Sequence, residues 1–189
     1  MNLWLASNAD TYARIAAGLP ELAGQPRETM IMEHGTVMDS YISAGAEIDG
    51  YVKNSVIFPN VVVRRDARIV NSVIATNHRI GAEATIMNSL ILPFEAEDQR
   101  NPVTLGAHCL IGGRSSDIRN ACFPSQIRDG LTVVGMNVMI PNGFRAEAAS
   151  FIGPGASLSG LRRRKVLRKG GCHFSDGREV KTEKNLGRG

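Results

Sequence analysis

Asn54-Ser55-Val56-Ile57, Asn71-Ser72-Val73-Ile74 and Asn88-Ser89-Leu90-Ile91 are one tetrapeptide, nearly unchanged, returning every 17 residues. Between the copies Val63 aligns with Ile80 and Ile69 with Ile86, so aliphatic residues stand at 57, 63, 69, 74, 80, 86 and 91. The steps are six, six and five, whereas an amphipathic helix repeats its apolar face in steps of three and four. Steps near six describe three short flat sides and three corners per circuit, with one aliphatic side chain per side aimed inward. The repeat is one coil of a β-solenoid, each side pairing through its backbone with the coils above and below at about 4.8 Å.

Corner chemistry agrees with this reading. Phe58-Pro59-Asn60 and Arg65-Asp66-Ala67 place turn-forming residues between the flat sides, where the chain bends sharply. Asn54, Asn71 and Asn88 should stack, and identical amides at strand spacing donate and accept along such a ladder. The Asn and Ser columns are therefore read as structural. A second hexapeptide run follows, with Val134, Ile140, Ala146, Ile152 and Leu158 each six apart. Two stretches interrupt the pattern, Phe94 to Pro102 and Gly113 to Asp129; the second is the expected place for variation or binding, because long loops in compact folds are usually functional. From Val37 to Gly160 the count is about seven coils of 17 to 18 residues.

The stretch from Ser40-Tyr41-Ile42 through Asn54-Ser55-Val56-Ile57 and Asn71-Ser72-Val73-Ile74 to Ile80-Gly81-Ala82 resembles the carboxy-terminal left-handed β-helix of glucose-1-phosphate adenylyltransferase, also called ADP-glucose pyrophosphorylase. The shortened coil at Ile48-Asp49-Gly50-Tyr51-Val52, two residues briefer than its successors, contributes to the match. The resemblance covers about Gly35 to Pro93 closely and Leu131 to Leu158 loosely. It implies an all-β, left-handed parallel β-helix and a noncatalytic role in oligomerisation and effector response. It further implies a catalytic nucleotidyltransferase domain as partner, in cis or in trans, and nucleotide-sugar or glycogen biosynthesis as the setting. The Gly-rich loop with following Arg and Lys that would cradle a triphosphate in such enzymes does not occur in this sequence.

The chain divides into an N-terminal segment, 1–34, with a short helix in which Tyr12, Ile15, Ala16 and Leu19 share a face; a β-helix, 35–160; and a basic extension, 161–189. Residues 160–189 hold ten Lys or Arg against three Asp or Glu, and residues 1–159 hold twelve against fifteen, so the tail carries the net positive charge. Its composition suits a cap on the last coil or a partly ordered extension, with Val166-Leu167 and Cys172-His173-Phe174 as a hairpin, rather than a nucleic-acid site. No apolar run is long enough to span a membrane. Cys109, Cys122 and Cys172 are odd in number and lack CxxC spacing, which speaks against a disulfide framework and for a reducing, cytoplasmic setting.

Arg64, Arg65, Arg68 and Arg79 border one corner in adjacent coils and form the candidate anion or effector site, because guanidinium groups donate paired hydrogen bonds to phosphate oxygens; the alternative is a solvated face. Self-association is expected through flat sides bearing Ala75, Ala82 and Ala84. The alternative function is a hexapeptide-repeat acyltransferase using acetyl or acyl coenzyme A, with His78 or His108 as general base. Both are first read as surface residues at turns. They are the only histidines assigned to the coils, too few for the three zinc ligands of a gamma-class carbonic anhydrase, so no metal, cofactor or catalytic residue is assigned.

Overall fold

The computed structural model describes residues 28–95, 103–114, 117–158 and 166–181. The expected N-terminal helix, most of the first interruption and the Arg162-Arg163-Arg164-Lys165 run lie outside them. The described residues form a left-handed β-helix of three flat faces. The first face stacks β1 (Met30–Ile31), β4 (Glu47–Ile48), β7 (Val62–Val63) and β10 (Arg79–Ile80), and single bridges at Leu105 and Ile140 continue it. The second stacks β2 (Thr36–Met38), β5 (Tyr51–Lys53), β8 (Arg68–Val70), β11 (Thr85–Met87), β13 (Leu110–Gly112), β15 (Arg145–Ala146) and β17 (Val166–Leu167). The third stacks β3 (Tyr41–Ile42), β6 (Val56–Ile57), β9 (Val73–Ile74), β12 (Ser89–Ile91), β14 (Thr132–Val134), β16 (Phe151–Ile152) and β18 (Cys172–His173), with β19 (Glu179–Val180) antiparallel at its end.

The inward register is the one that the aliphatic spacing predicts. Ile57, Val63, Ile69, Ile74, Ile80, Ile86 and Ile91 are all buried, as are Val134, Ile140, Ala146, Ile152 and Leu158. Each coil is too thin to admit more than one large side chain per face, so this column is the core. Around it the corners take left-handed backbone. Asn54, Asn71 and Asn88 have φ of 47°, 50° and 47°, and Asn60 and Asn77 have 59° and 66°; short polar side chains tolerate that region best among non-glycine residues. Asn54 donates to Asn71 and Asn60 to Asn77, both at 3.2 Å. Beside the first of these ladders runs a serine ladder: Ser40, Ser55 and Ser72 each accept the backbone N–H of the serine one coil on, at 3.1–3.2 Å.

The shortened corner is present in the backbone. Met30 pairs with Glu47, 17 residues on, but Thr36 pairs with Tyr51, 15 residues on. Gly50 makes that cut possible: a Cβ there would stand 2.5 Å from the Ala67 carbonyl oxygen and 2.9 Å from that of Arg64.

Three features depart from the sequence reading. Ala84 is fully buried and points inward, unlike the partly exposed Ala75 and Ala82. Val166-Leu167 and Cys172-His173 are not two arms of a hairpin; β17 pairs with β15 and β18 with β16, both parallel, so they form a seventh coil, and the hairpin lies between β18 and β19. Cys122 and Cys172 form a disulfide across 50 residues of sequence. Spacing alone concealed it because a solenoid with a long inserted loop brings distant residues side by side. The argument for a reducing compartment, which rested on unpaired cysteines, lapses with it. The second interruption is fastened to the coils, with Ala121 N–H donating to the Gly170 carbonyl and Asn88 Nδ2 to that of Asp129. No helix among the described residues is long and apolar enough to cross a membrane.

Candidate functional site

The three corners and faces distribute the four arginines. Arg64 and Arg65 follow β7 at the corner between the first and second faces, Arg68 opens β8 on the second face, and Arg79 opens β10 on the first face one coil further on. Val63 and Ile69 are drawn into the core, which leaves Arg64, Arg65 and Arg68 exposed around the bend. Two of them have intramolecular partners. The Arg65 guanidinium lies 3.0 Å from His34 Nδ1 and 3.8 Å from an Asp49 carboxylate oxygen. The Arg68 guanidinium lies 4.6 Å from the centre of the Tyr51 ring, its register neighbour in the preceding coil. Arg79 is partly buried, and its Nε is shielded from solvent without a hydrogen-bond partner. A buried guanidinium nitrogen without an acceptor is costly, and such a group needs an explanation. Arg79 is thus the member of the set with a side-chain donor cut off from both water and protein acceptors.

His78 is not a surface residue. It is 1% exposed, and both ring nitrogens are engaged. Nε2 lies 2.9 Å from the Leu92 carbonyl oxygen, so it carries the proton and donates, while Nδ1 lies 2.9 Å from Thr104 Oγ1 and accepts from that hydroxyl. Thr104 Oγ1 in turn accepts the Arg79 backbone N–H at 3.1 Å. Burial pushes the imidazole pKa below its ordinary value, with the bond to Leu92 acting in the opposite sense. A neutral ring with no free nitrogen joins the edge of the first interruption to the first face; it has no lone pair left for a proton from a substrate.

His108 stands differently. It occupies a left-handed corner at φ 56°, directly after Glu83, φ 58°, in the same corner column, and its Nδ1 lies 3.2 Å from a Glu83 carboxylate oxygen. Both side chains are exposed, 61% and 60%. The sequence placed two histidines in the coils and the structure places four. His34 lies at the corner of the first coil, 3.4 Å from Asp49. His173 takes the inward position of β18, in register with Ile152, where Nε2 bonds the Ser157 carbonyl at 3.0 Å and Nδ1 is buried without a partner. A left-handed corner position could have flagged His108, since Asp66, Glu83 and Gly143 fill the equivalent corners; nothing in the local sequence marks His34 or His173. Among the described residues no three His, Cys, Asp or Glu side chains gather as a metal site.

The family described as GlmU-like, C-terminal hexapeptide, matches residues 27–93, the first four coils and their shortened corner. No curated protein matches the chain. The chain carries a hexapeptide-repeat β-helix, similar over those coils to the GlmU-like C-terminal hexapeptide family.

Proposed function

We propose that this chain is the noncatalytic β-helix portion of a sugar-phosphate nucleotidyltransferase of the ADP-glucose pyrophosphorylase type, serving oligomerisation and response to a phosphorylated effector. The observation that carries the reading is the run of coils from Met30 to Ile91 with its two-residue shortening at Gly50, within the stretch that matches a hexapeptide family. The effector role is assigned to Arg64, Arg65 and Arg68, exposed around the bend after β7, and to Arg79, which stands in register with Val62 on the first face one coil on. Its partners are a catalytic nucleotidyltransferase domain, in cis or in trans, and further copies of itself. On this reading the chain forms no sugar nucleotide from sugar phosphate and nucleoside triphosphate, and transfers no acetyl group from coenzyme A.

A second reading has one specific observation in its favour. Glu83 holds His108 Nδ1, which in the neutral tautomer leaves the lone pair on Nε2, the arrangement a general base needs to take a proton from an acceptor hydroxyl or amine. Both residues also sit in left-handed backbone, which costs a non-glycine residue on the order of 1 kcal/mol. The two readings separate in an acetyl-transfer assay with acetyl coenzyme A and a panel of amino and hydroxyl acceptors. The nucleotidyltransferase-associated reading expects no turnover; turnover abolished by His108→Ala and retained in His78→Gln replaces it with an acyltransferase.

A further inference from the structure

We propose that Cys122 and Cys172 are a thiol–disulfide exchange site, oxidised by a small disulfide of the glutathione class and reduced by the corresponding thiol, which fastens and releases the loop of residues 117–131. The pair is asymmetric in access. Cys122 is half-buried on the loop, whereas Cys172 is fully buried on β18, so an external thiol enters at the Cys122 sulfur and Cys172 is the leaving group.

The reduced state has a prepared seat. Asn120, 1% exposed, donates from Nδ2 to the carbonyl oxygens of Ala149 at 2.8 Å and Gly170 at 3.1 Å. Its Oδ1 accepts the backbone N–H groups of Cys122 and Phe123, each at 3.0 Å. The same Oδ1 lies 3.1 Å from Cys172 Sγ, so the freed thiol gains an acceptor where it stands. Phe123 packs edge-on against Phe151, ring centres 4.8 Å apart, giving the loop a second hold that outlasts the covalent one. The remaining cysteine does not compete: Cys109 is buried and its thiol is pushed up to about 12, which leaves it protonated and inert to exchange.

In the oxidising direction the Cys122 thiolate attacks one sulfur of the small disulfide, expelling one thiolate and leaving a mixed disulfide on Cys122. Cys172, deprotonated, then attacks the Cys122 sulfur and expels the second. Two protein thiols are oxidised, one small disulfide is reduced to two thiols, and the two protons pass to them. Because Asn88 donates to the Asp129 carbonyl and Ala121 to that of Gly170, the loop bridges the fourth coil to the seventh, and its release loosens that bridge.

The test equilibrates the full chain in buffers of oxidised and reduced glutathione and counts free thiols by alkylation and intact mass, with amide exchange over 117–131 measured in each state. We expect reversible interconversion between one and three free thiols in the folded chain, several-fold faster exchange in the loop on reduction, and a single glutathione adduct at Cys122 in Cys172→Ser with none at Cys172 in Cys122→Ser. Overturning results are a disulfide that stays closed in excess reduced glutathione until urea is added, loop exchange identical in the two states, or a Cys172→Ser chain labelled only after unfolding. Should Cys172→Ser not fold, the wild-type thiol count and loop exchange decide alone.

Discussion

His78 shows how one buried side chain sets a pH dependence. Its folded pKa lies below the usual histidine value of about 6.5, so in the window just below 6.5 the unfolded chain binds a proton that the folded chain refuses. Stability is then complete above about 6.5 and falls as pH drops toward the folded value, by at most about 1.4 kcal/mol per pH unit. Urea unfolding between pH 7.5 and 5 should therefore show a steeper acid loss for the wild type than for His78→Gln. Parallel profiles would mean that His78 is not held neutral. The column of inward residues gives a second residue-scale expectation. Ile69→Asp buries an unpaired carboxylate and should cost about 3 kcal/mol or more. Its neighbour Arg68→Glu loses an exposed contact with Tyr51 and should cost about 1 kcal/mol or less. Equal losses in urea unfolding would refute the register. That register was legible because Ile69 and its equivalents are written as aliphatics every fifth or sixth residue. The burial of His78 is not legible locally, because its partners Thr104 and Leu92 are brought to it only by the stacking of coils.

Gly50 governs its element. Adding a methyl group there drives a Cβ into two backbone carbonyl oxygens of the next coil, and backbone cannot move aside as a side-chain tip does. Gly50→Ala should destabilise by about 1–3 kcal/mol, read as a lower urea midpoint, while Gly143→Ala, open around its Cβ position but left-handed at φ 68°, should cost only about 1 kcal/mol. A Gly50→Ala chain as stable as the wild type would mean the corner relaxes, against the close packing inferred for it. The elements that escaped the sequence reading did so for identifiable reasons. After Leu158 the next inward aliphatic is Leu167, nine residues on across the charged run, and the inward position of β18 is His173, where six coils carry an aliphatic residue in the same column, so the period-six signal is lost. The loop of residues 117–131 reads as an interruption because its order comes from Asn120, Cys122 and Phe123 reaching other coils rather than from any local pattern.

Across the whole molecule, parallel coils stack into a rod whose ends differ. The C-terminal end is closed by the β18–β19 hairpin. At the opposite end Met30, Ile31 and Met32 are 50%, 57% and 45% exposed. Of the candidate site, the positions of the four arginines along the coils were legible from the 17-residue repeat. The engagement of Arg65 by His34 and Asp49 was not, since it depends on which neighbouring coil a long side chain turns toward. The effector role makes the most direct demand: the isolated chain must bind a phosphorylated sugar through these arginines. Titration calorimetry with a panel of sugar phosphates and sugar bisphosphates should give saturable heat for at least one of them, weakened by about tenfold or more in Arg79→Ala, as loss of a charge-assisted bond worth about 1.5–3 kcal/mol requires. Saturable binding that Arg79→Ala and Arg64→Ala leave unchanged, or no heat from any member of the panel at millimolar concentration, would contradict it.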